Sequence, residues 1–183
     1  MESLYFVAVV PPPDIREEIT AFKQYCAEHF GSKHALRSPP HITLHMPFKW
    51  KDKRLQQLKT TLNRSVFERS LFDISLQDFD FFEPRVVFVD VVTNLSLLRL
   101  QKRVVQEMKS LHIFNANHKD RPFHPHMTVA FRDLKKSVFP EAKRHFLQSE
   151  YKASFQVDHI VLLRHEQHRW QEFDRFDLAS PPN

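Results

Sequence analysis

Apolar positions change period several times along the chain, and each change marks an element. Leu4 to Val10 is a short β-rich run stopped by Pro11-Pro12-Pro13, which predicts a first strand. Asp14 to Phe30 follows as a helix, with Asp14, Glu17 and Glu18 in its first turns and Gly31 near its end. A polar loop through Arg37-Ser38-Pro39-Pro40 leads into a strand from His41 to Met46. Leu55, Leu58, Leu62 and Val66 give helical spacing within Asp52 to Phe67. Leu71 to Phe81 alternates as a strand, and a turn at Glu83-Pro84 precedes a strand from Val86 to Val92.

The second half runs through a similar series. Asn94 is placed to cap a helix from Leu95 to Leu111. A basic, histidine-rich loop, Asn115 to Pro125, leads into another strand. A helix is expected over Leu134 to Leu147. Ala153 to Arg164 and Trp170 to Leu178 read as a terminal hairpin, and the tail Ser180-Pro181-Pro182-Asn183 as loose. The order strand, helix, loop, strand, helix, strand therefore occurs twice, over about 4–84 and 85–178. The expectation is one domain of two lobes, open to strand exchange between them. His41 to Phe72 spans 31 positions and His126 to Phe155 spans 29, which pairs the strands beginning there. The last strand has its nearest counterpart in Val86 to Val92. The class predicted is α+β, a duplicated pseudo-twofold fold with two mixed, largely antiparallel sheets flanked by helices.

Each repeat carries the same short pattern at one strand. The first is Pro40-His41-Ile42-Thr43-Leu44 and the second is Pro125-His126-Met127-Thr128-Val129. With 12 His and 6 Thr in 183 residues, chance gives about 0.4 His-x-Thr triplets, and about 0.03 once a preceding Pro is required. Two copies with apolar residues in both variable slots are not accounted for by strand capping and ordinary β-formers. His41 and Thr43 share one face of a strand, as do His126 and Thr128. If the lobes are related by a pseudo-twofold axis, the two polar faces line one cleft.

Two imidazoles on opposite sides of a phosphorus suit in-line displacement. A neutral one takes a proton from the attacking oxygen, and a protonated one gives a proton to the leaving oxygen. Histidine titrates near pH ~6.5, so both forms are accessible near neutrality. Threonine hydroxyls can donate to the non-bridging oxygens. No metal or cofactor is needed for such a reaction.

Composition narrows the field. Hydrophobic residues make up 42% and charged residues 27%, a globular balance, and 18 Phe point to an aromatic core. One glycine excludes a Gly-rich phosphate cradle. A formal net charge of +5 and a pI near 9.4 favour an anionic partner. The single Cys26 cannot form an intramolecular disulfide, which suits a reducing cytosol. No signal peptide or membrane-length apolar run is visible. A cytoplasmic monomer with no membrane or obligate protein partner is expected.

Both patterns match the HxTx signature of the 2H phosphoesterase superfamily, and the chain resembles its 2′-5′ RNA ligase (LigT-like) branch over nearly its whole length. The resemblance implies a bilobal fold with a V-shaped cleft and one motif per lobe. It implies metal-independent phosphodiesterase chemistry, commonly the opening of 2′,3′-cyclic phosphates to 2′-phosphates, with 2′-5′ RNA linkages handled by some relatives. It gives His41, Thr43, His126 and Thr128 the catalytic roles, and RNA ends or small cyclic nucleotides as substrates. One departure follows the second motif. Many relatives have a basic residue where Phe131 stands here, with Arg132 one position later.

Several further residues are candidates. Arg132 would reach the phosphate if the strand continues regularly, sharing the face of His126, Thr128 and Ala130; a surface salt bridge with Asp133 or another acid is the alternative. Lys49 and Trp50 are placed to contact phosphate and base at the cleft mouth, against solvation and packing. Tyr5 or Phe6 can line the cleft floor, against core packing. His45 shares the parity of His41 and Thr43, so it borders the cleft or ends the strand. His165 and His168 flank the last hairpin turn. His124 and His126 form a His-x-His pair with His118 nearby, which raises a metal-site alternative, but no Asp, Glu or Cys completes an obvious ligand set. A noncatalytic nucleotide- or RNA-binding module with the same cleft is the other competing function.

Overall fold

The computed structural model describes residues 1–115 and 122–178. In chain order the elements are β1 (Glu2–Val9), α1 (Pro13–Phe30), β2 (Ile42–Lys51), α2 (Leu55–Val66), β3 (Phe72–Phe82) and β4 (Val86–Val91). They continue with α3 (Leu95–Lys109), β5 (His126–Ala130), α4 (Phe139–Leu147), β6 (Lys152–Val157), β7 (His159–Glu166) and β8 (Arg169–Asp177). Local chemistry sets many of the boundaries. Pro13 opens α1, where a missing N–H costs nothing. Gly31, at φ 69°, ends it in the left-handed conformation, and the Ser32 N–H donates to the Cys26 carbonyl at 3.1 Å. Asn94 caps α3 as expected, accepting from the Leu97 N–H at 3.0 Å.

Two expected elements are corrected. The helix expected from Leu134 begins only at Phe139, because Pro140 has no N–H to donate and belongs in a first turn. The single strand expected over Ala153 to Arg164 is two strands that part at Asp158 and enter different sheets. Both pieces keep a strand-like pattern, so the break leaves no mark on the sequence.

One sheet has the order β2-β1-β7-β8 and the other β5-β4-β3-β6. Every pairing is antiparallel, so the parallel component expected of mixed sheets is absent among the described residues. The two orders superimpose position for position. β1 corresponds to β4, and β2 to β5. β3 leaves the first half to pair with β4, and its counterpart is β7, which pairs with β1. The edge strands β8 and β6 then correspond. This corrects the expected equivalences of β3 with the strand at Phe155, and of the last strand with Val86 to Val92.

Helices also trade sides. α1 packs against β5, and α3 packs against β2. Their buried stripes close a common core. Ile15, Ile19, Cys26 and Phe30 of α1 join Leu97, Leu100, Val104 and Met108 of α3. Tyr5, Val7 and Val9 of β1 and Val87, Val89 and Val91 of β4 complete that core. On its opposite face the first sheet carries a smaller cluster, Phe6, Ala8, Val10, Val161 and Leu163, with Trp170 packed on it. Among the described residues no helix is long and apolar enough to cross a membrane.

Candidate active site

The edge strands β2 and β5 touch each other, so the two sheets meet along the motif strands. Thr43 stands opposite Ala8, and Thr128 opposite Phe88. His126 stands opposite Asp90. Ile42, Leu44, Met127 and Val129 are buried on the core side, whereas His41, Thr43, His126 and Thr128 are half-buried on the other face. Alternation along a strand sorts these residues as the sequence pattern required.

Alternation fails immediately after each threonine, at the same place in both halves. In β2 two residues, Thr43 to His45, advance against one step of β1, Ala8 to Val7. In β5, Thr128 to Ala130 advance against Phe88 to Val87. Each shift inserts one extra residue, Leu44 or Val129, and turns the next residue into the core. His45 is therefore 1% exposed, with its ring edge against Phe48, and does not border the cleft. Ala130 is fully buried opposite Val87 and does not share the face of His126 and Thr128. Gln101 of α3 donates to the Leu44 carbonyl at 3.3 Å, which gives that extra residue a partner.

The two motif imidazoles are held in the same way. His41 Nδ1 lies 2.7 Å from the Pro39 carbonyl, and His126 Nδ1 lies 2.8 Å from the His124 carbonyl. A carbonyl only accepts, so each Nδ1 carries the proton and each Nε2 of a neutral ring is left with its lone pair. Each histidine thus fixes its tautomer on the backbone two residues upstream. Aromatic rings press on both. Phe6 is 4.8 Å from His41, and Phe88 and Phe82 are 5.0 and 5.1 Å from His126, centroid to centroid.

These surroundings set the charges. Burial pulls the His41 pKa down to about 4, the Lys23 ammonium and the His126 ring add to the depression, and the Pro39 carbonyl opposes it. His126 is also lowered, first by burial and also by His124, while the His124 carbonyl and Asp90 work against the shift. Both rings are thus held below the ordinary value, and they differ in that Lys23 adds to the depression at His41 while Asp90 works against it at His126. Lys23 and Asp90 were not singled out in the sequence. Lys23 interrupts the apolar stripe Ile15, Ile19, Cys26, Phe30, which is a visible signal. Asp90 falls on the alternate face of the strand that carries Val87, Val89 and Val91, and nothing local distinguishes it from a solvated carboxylate.

Tyr5, Trp50 and Lys49 are not brought to the motifs, whereas His124 lies beside the second, its ring 6.3 Å from that of His126. Tyr5 is fully buried on the core face, 5.7 Å from Phe173, and it is Phe6 that faces His41. Trp50 pairs with Ser3 at the far end of β1. It is 6% exposed, donates from Nε1 to the Arg54 carbonyl at 2.9 Å, and carries the Arg54 guanidinium 4.4 Å above its ring. Lys49 is exposed at the same far end, opposite Leu4. β5 stops at Ala130, and Arg132 adopts φ 55°, so strand parity does not carry it toward the cleft. Its guanidinium lies 5.5 Å from the Phe131 ring centre. Asp133 does not pair with it. That carboxylate instead accepts from Ser32 Oγ at 2.8 Å, Lys33 N at 2.8 Å and His34 N at 2.9 Å. His124 is exposed with Nε2 3.3 Å from Asp90, and His165 and His168 are exposed at the last turn. His118 lies outside the described residues.

A duplicated antiparallel fold that brings one His-x-Thr strand from each half to a shared seam is the architecture of a 2H phosphoesterase. The 2′-5′ RNA ligase superfamily matches residues 11–169, and the chain belongs to that family of phosphoesterases. A phosphoesterase-named protein of Geobacillus sp. (strain WCH70) is 24% identical over 175 residues, covering 94% of each chain. Crystal structures of E. coli LigT with 3′-AMP and of a Thermus thermophilus protein share the fold. The first has a TM-score of 0.70 at 21% identity and covers 98% of this chain and 100% of that one. The second has 0.71 at 19%, covering 97% and 98%.

Proposed function

We propose that the protein opens 2′,3′-cyclic phosphates of RNA ends or nucleotides to 2′-phosphates, with His41 as general base and His126 as general acid. The carrying observation is the pair of matched Nδ1–H bonds to Pro39 and His124, which leaves Nε2 on both rings free for proton transfer. His41, beside Lys23, favours the neutral form. His126 has Asp90 opposite it, which favours the protonated form once a substrate phosphate adds its own negative charge. His41 Nε2 takes a proton from water as the water oxygen bonds to phosphorus. The P–O3′ bond breaks, and His126 passes its proton to O3′, leaving the phosphate on O2′. The Thr43 and Thr128 hydroxyls donate to the non-bridging oxygens, where one such donor contributes about 10²–10³-fold. Run in the same direction with a nucleoside 5′-hydroxyl in place of water, the same groups make a 2′-5′ linkage, and run backwards they cleave one.

Crystals of the fold-sharing LigT with 3′-AMP, ATP and NADP+ favour a nucleotide in this cleft. The test is hydrolysis of adenosine 2′,3′-cyclic phosphate in excess chelator, with the product identified by phosphorus NMR. His41→Ala and His126→Ala should each lose about 10²–10⁴-fold in kcat with unchanged circular dichroism. A wild-type rate in either variant overturns the assignment. Tight binding of 2′-AMP without any turnover by the parent protein would favour a noncatalytic nucleotide-binding role.

A further inference from the structure

A cavity of about 330 Å³ borders the loop that leads into the first motif, Leu36 to Pro40. Lys23 and Arg16 of α1, Arg37 and Pro39 of the loop before β2, and Arg169 and Trp170 at the start of β8 line it. Lys23 is the informative member. It is 2% exposed, and its Nζ donates to the Ala35 carbonyl at 3.1 Å and the Ser38 carbonyl at 3.0 Å. An ammonium has three N–H donors, and two neutral carbonyls leave its charge uncompensated. Among the described residues neither Lys23, Arg37 nor Arg169 is paired with a carboxylate; Arg16 alone of the four cations is, with Glu172 at 2.6 Å. A buried cation in a basic cavity is completed by an anion. Consistent with a charge lacking its counterpart, burial pulls the Lys23 pKa down to about 7.

The cavity adjoins the reacting groups. Pro39 lines it and also holds His41 Nδ1 through its carbonyl. Trp170 lines it and packs edge-on against Phe6 at 4.6 Å, and Phe6 contacts His41. A 2′,3′-cyclic phosphate occupies both hydroxyls of its ribose, so the one remaining place for phosphate on that nucleoside is O5′.

We propose that this cavity binds the phosphate on O5′ of the nucleoside whose cyclic phosphate lies between His41 and His126. The inference rests on the function proposed above and narrows its substrate class to nucleotides that carry phosphate on both sides of the ribose. Guanidinium forks match phosphate oxygens in pairs, and Lys23 adds a point charge beneath them.

Binding of product-like ligands tests this without turnover. Adenosine 2′,5′-bisphosphate and 2′-AMP would be titrated by tryptophan fluorescence, since Trp170 lines the cavity and the only other indole, Trp50, is buried in the core cluster on the other face of the sheet. The bisphosphate should bind at least tenfold tighter. The double variant Arg37→Ala, Arg169→Ala should bring the ratio of the two affinities to within twofold of one. Lys53→Ala, at the opposite end of β2, should leave the ratio as it is. A third ligand, the dinucleotide ApA with a 3′-terminal 2′-phosphate, separates an internucleotide diester from a terminal 5′-phosphate by which of the two gains more. Equal affinity for bisphosphate and monophosphate, or a ratio retained in the double variant, overturns the proposal. If cyclic phosphates are opened but the ratio is one, only this phosphate site falls. If the ratio holds and no cyclic phosphate is opened, only the catalytic reading falls.

Discussion

Asp90 stands directly across the β4–β5 pair from His126, and the equivalent place opposite His41, one residue beyond Val9, is filled by Val10. The two halves match in strand order and differ in charge at this position. His126 has a carboxylate that favours its imidazolium. His41 has an apolar residue there and an ammonium, Lys23, nearby. On the proposed assignment, this asymmetry separates the acid from the base on a symmetric frame.

Asp90→Asn removes a charge that raises the His126 pKa. The general acid then loses its proton at lower pH, so the basic limb of the kcat profile moves toward lower pH. The acidic limb should stay in place. A full pH–rate profile on adenosine 2′,3′-cyclic phosphate reads both limbs. An unmoved basic limb would assign the acid elsewhere.

Stability should fall on acidification between pH 6.5 and about 4. The unfolded chain protonates His41 at its ordinary value of 6.5, while the folded ring resists down to about 4. Within that window the unfolded state binds more protons, so unfolding becomes easier as pH drops. The full difference is roughly 3 kcal/mol at most, and partial exposure of the residue toward the cleft reduces it. His45 and His126 act in the same direction. Urea melts at pH 7, 5.5 and 4.5 measure it, and His41→Asn should flatten the dependence. A parent slope retained in His41→Asn would move the effect to other groups.

Asp133 ties the turn after β5 to the end of α1 through three hydrogen bonds, one from the fully buried Ser32. Asp133→Ala leaves those donors without the carboxylate, and about 2 kcal/mol of stability should go with it. The loop it anchors leads to Pro39 and His41, so kcat should fall as well. Urea denaturation and kcat on one preparation check both, and a loss under about 0.5 kcal/mol would show that water replaces the carboxylate.

Much of this was legible because periodicity and local caps are written in neighbouring residues. The Ile42/Leu44 and Met127/Val129 alternation exposed the motif faces, and Asn94 and Gly31 marked helix ends. What failed depends on a partner strand. Parity predicted that His45 and Ala130 face the cleft, but an extra residue in each pairing reverses them, and only β1 and β4 reveal that. The break at Asp158 was hidden for the same reason, since the strands on either side obey the free edges of β3 and β1. Lys23 was readable in hindsight as a charge on an apolar helix stripe. Trp50 and Tyr5 were aromatic residues on strands, and aromatic rings in this Phe-rich chain belong first to its core.

The traded strands set an order on assembly. β1 emerges first yet pairs on one side with β7, and the Phe6, Ala8 and Val10 face has no cover from Val161, Leu163 and Trp170 until the final strands exist. A ribosome-bound chain lacking β7 would therefore hold a finished second motif beside an unfinished first sheet. The first sheet closes only when the hairpin of β7 and β8 slots against a strand made long before it.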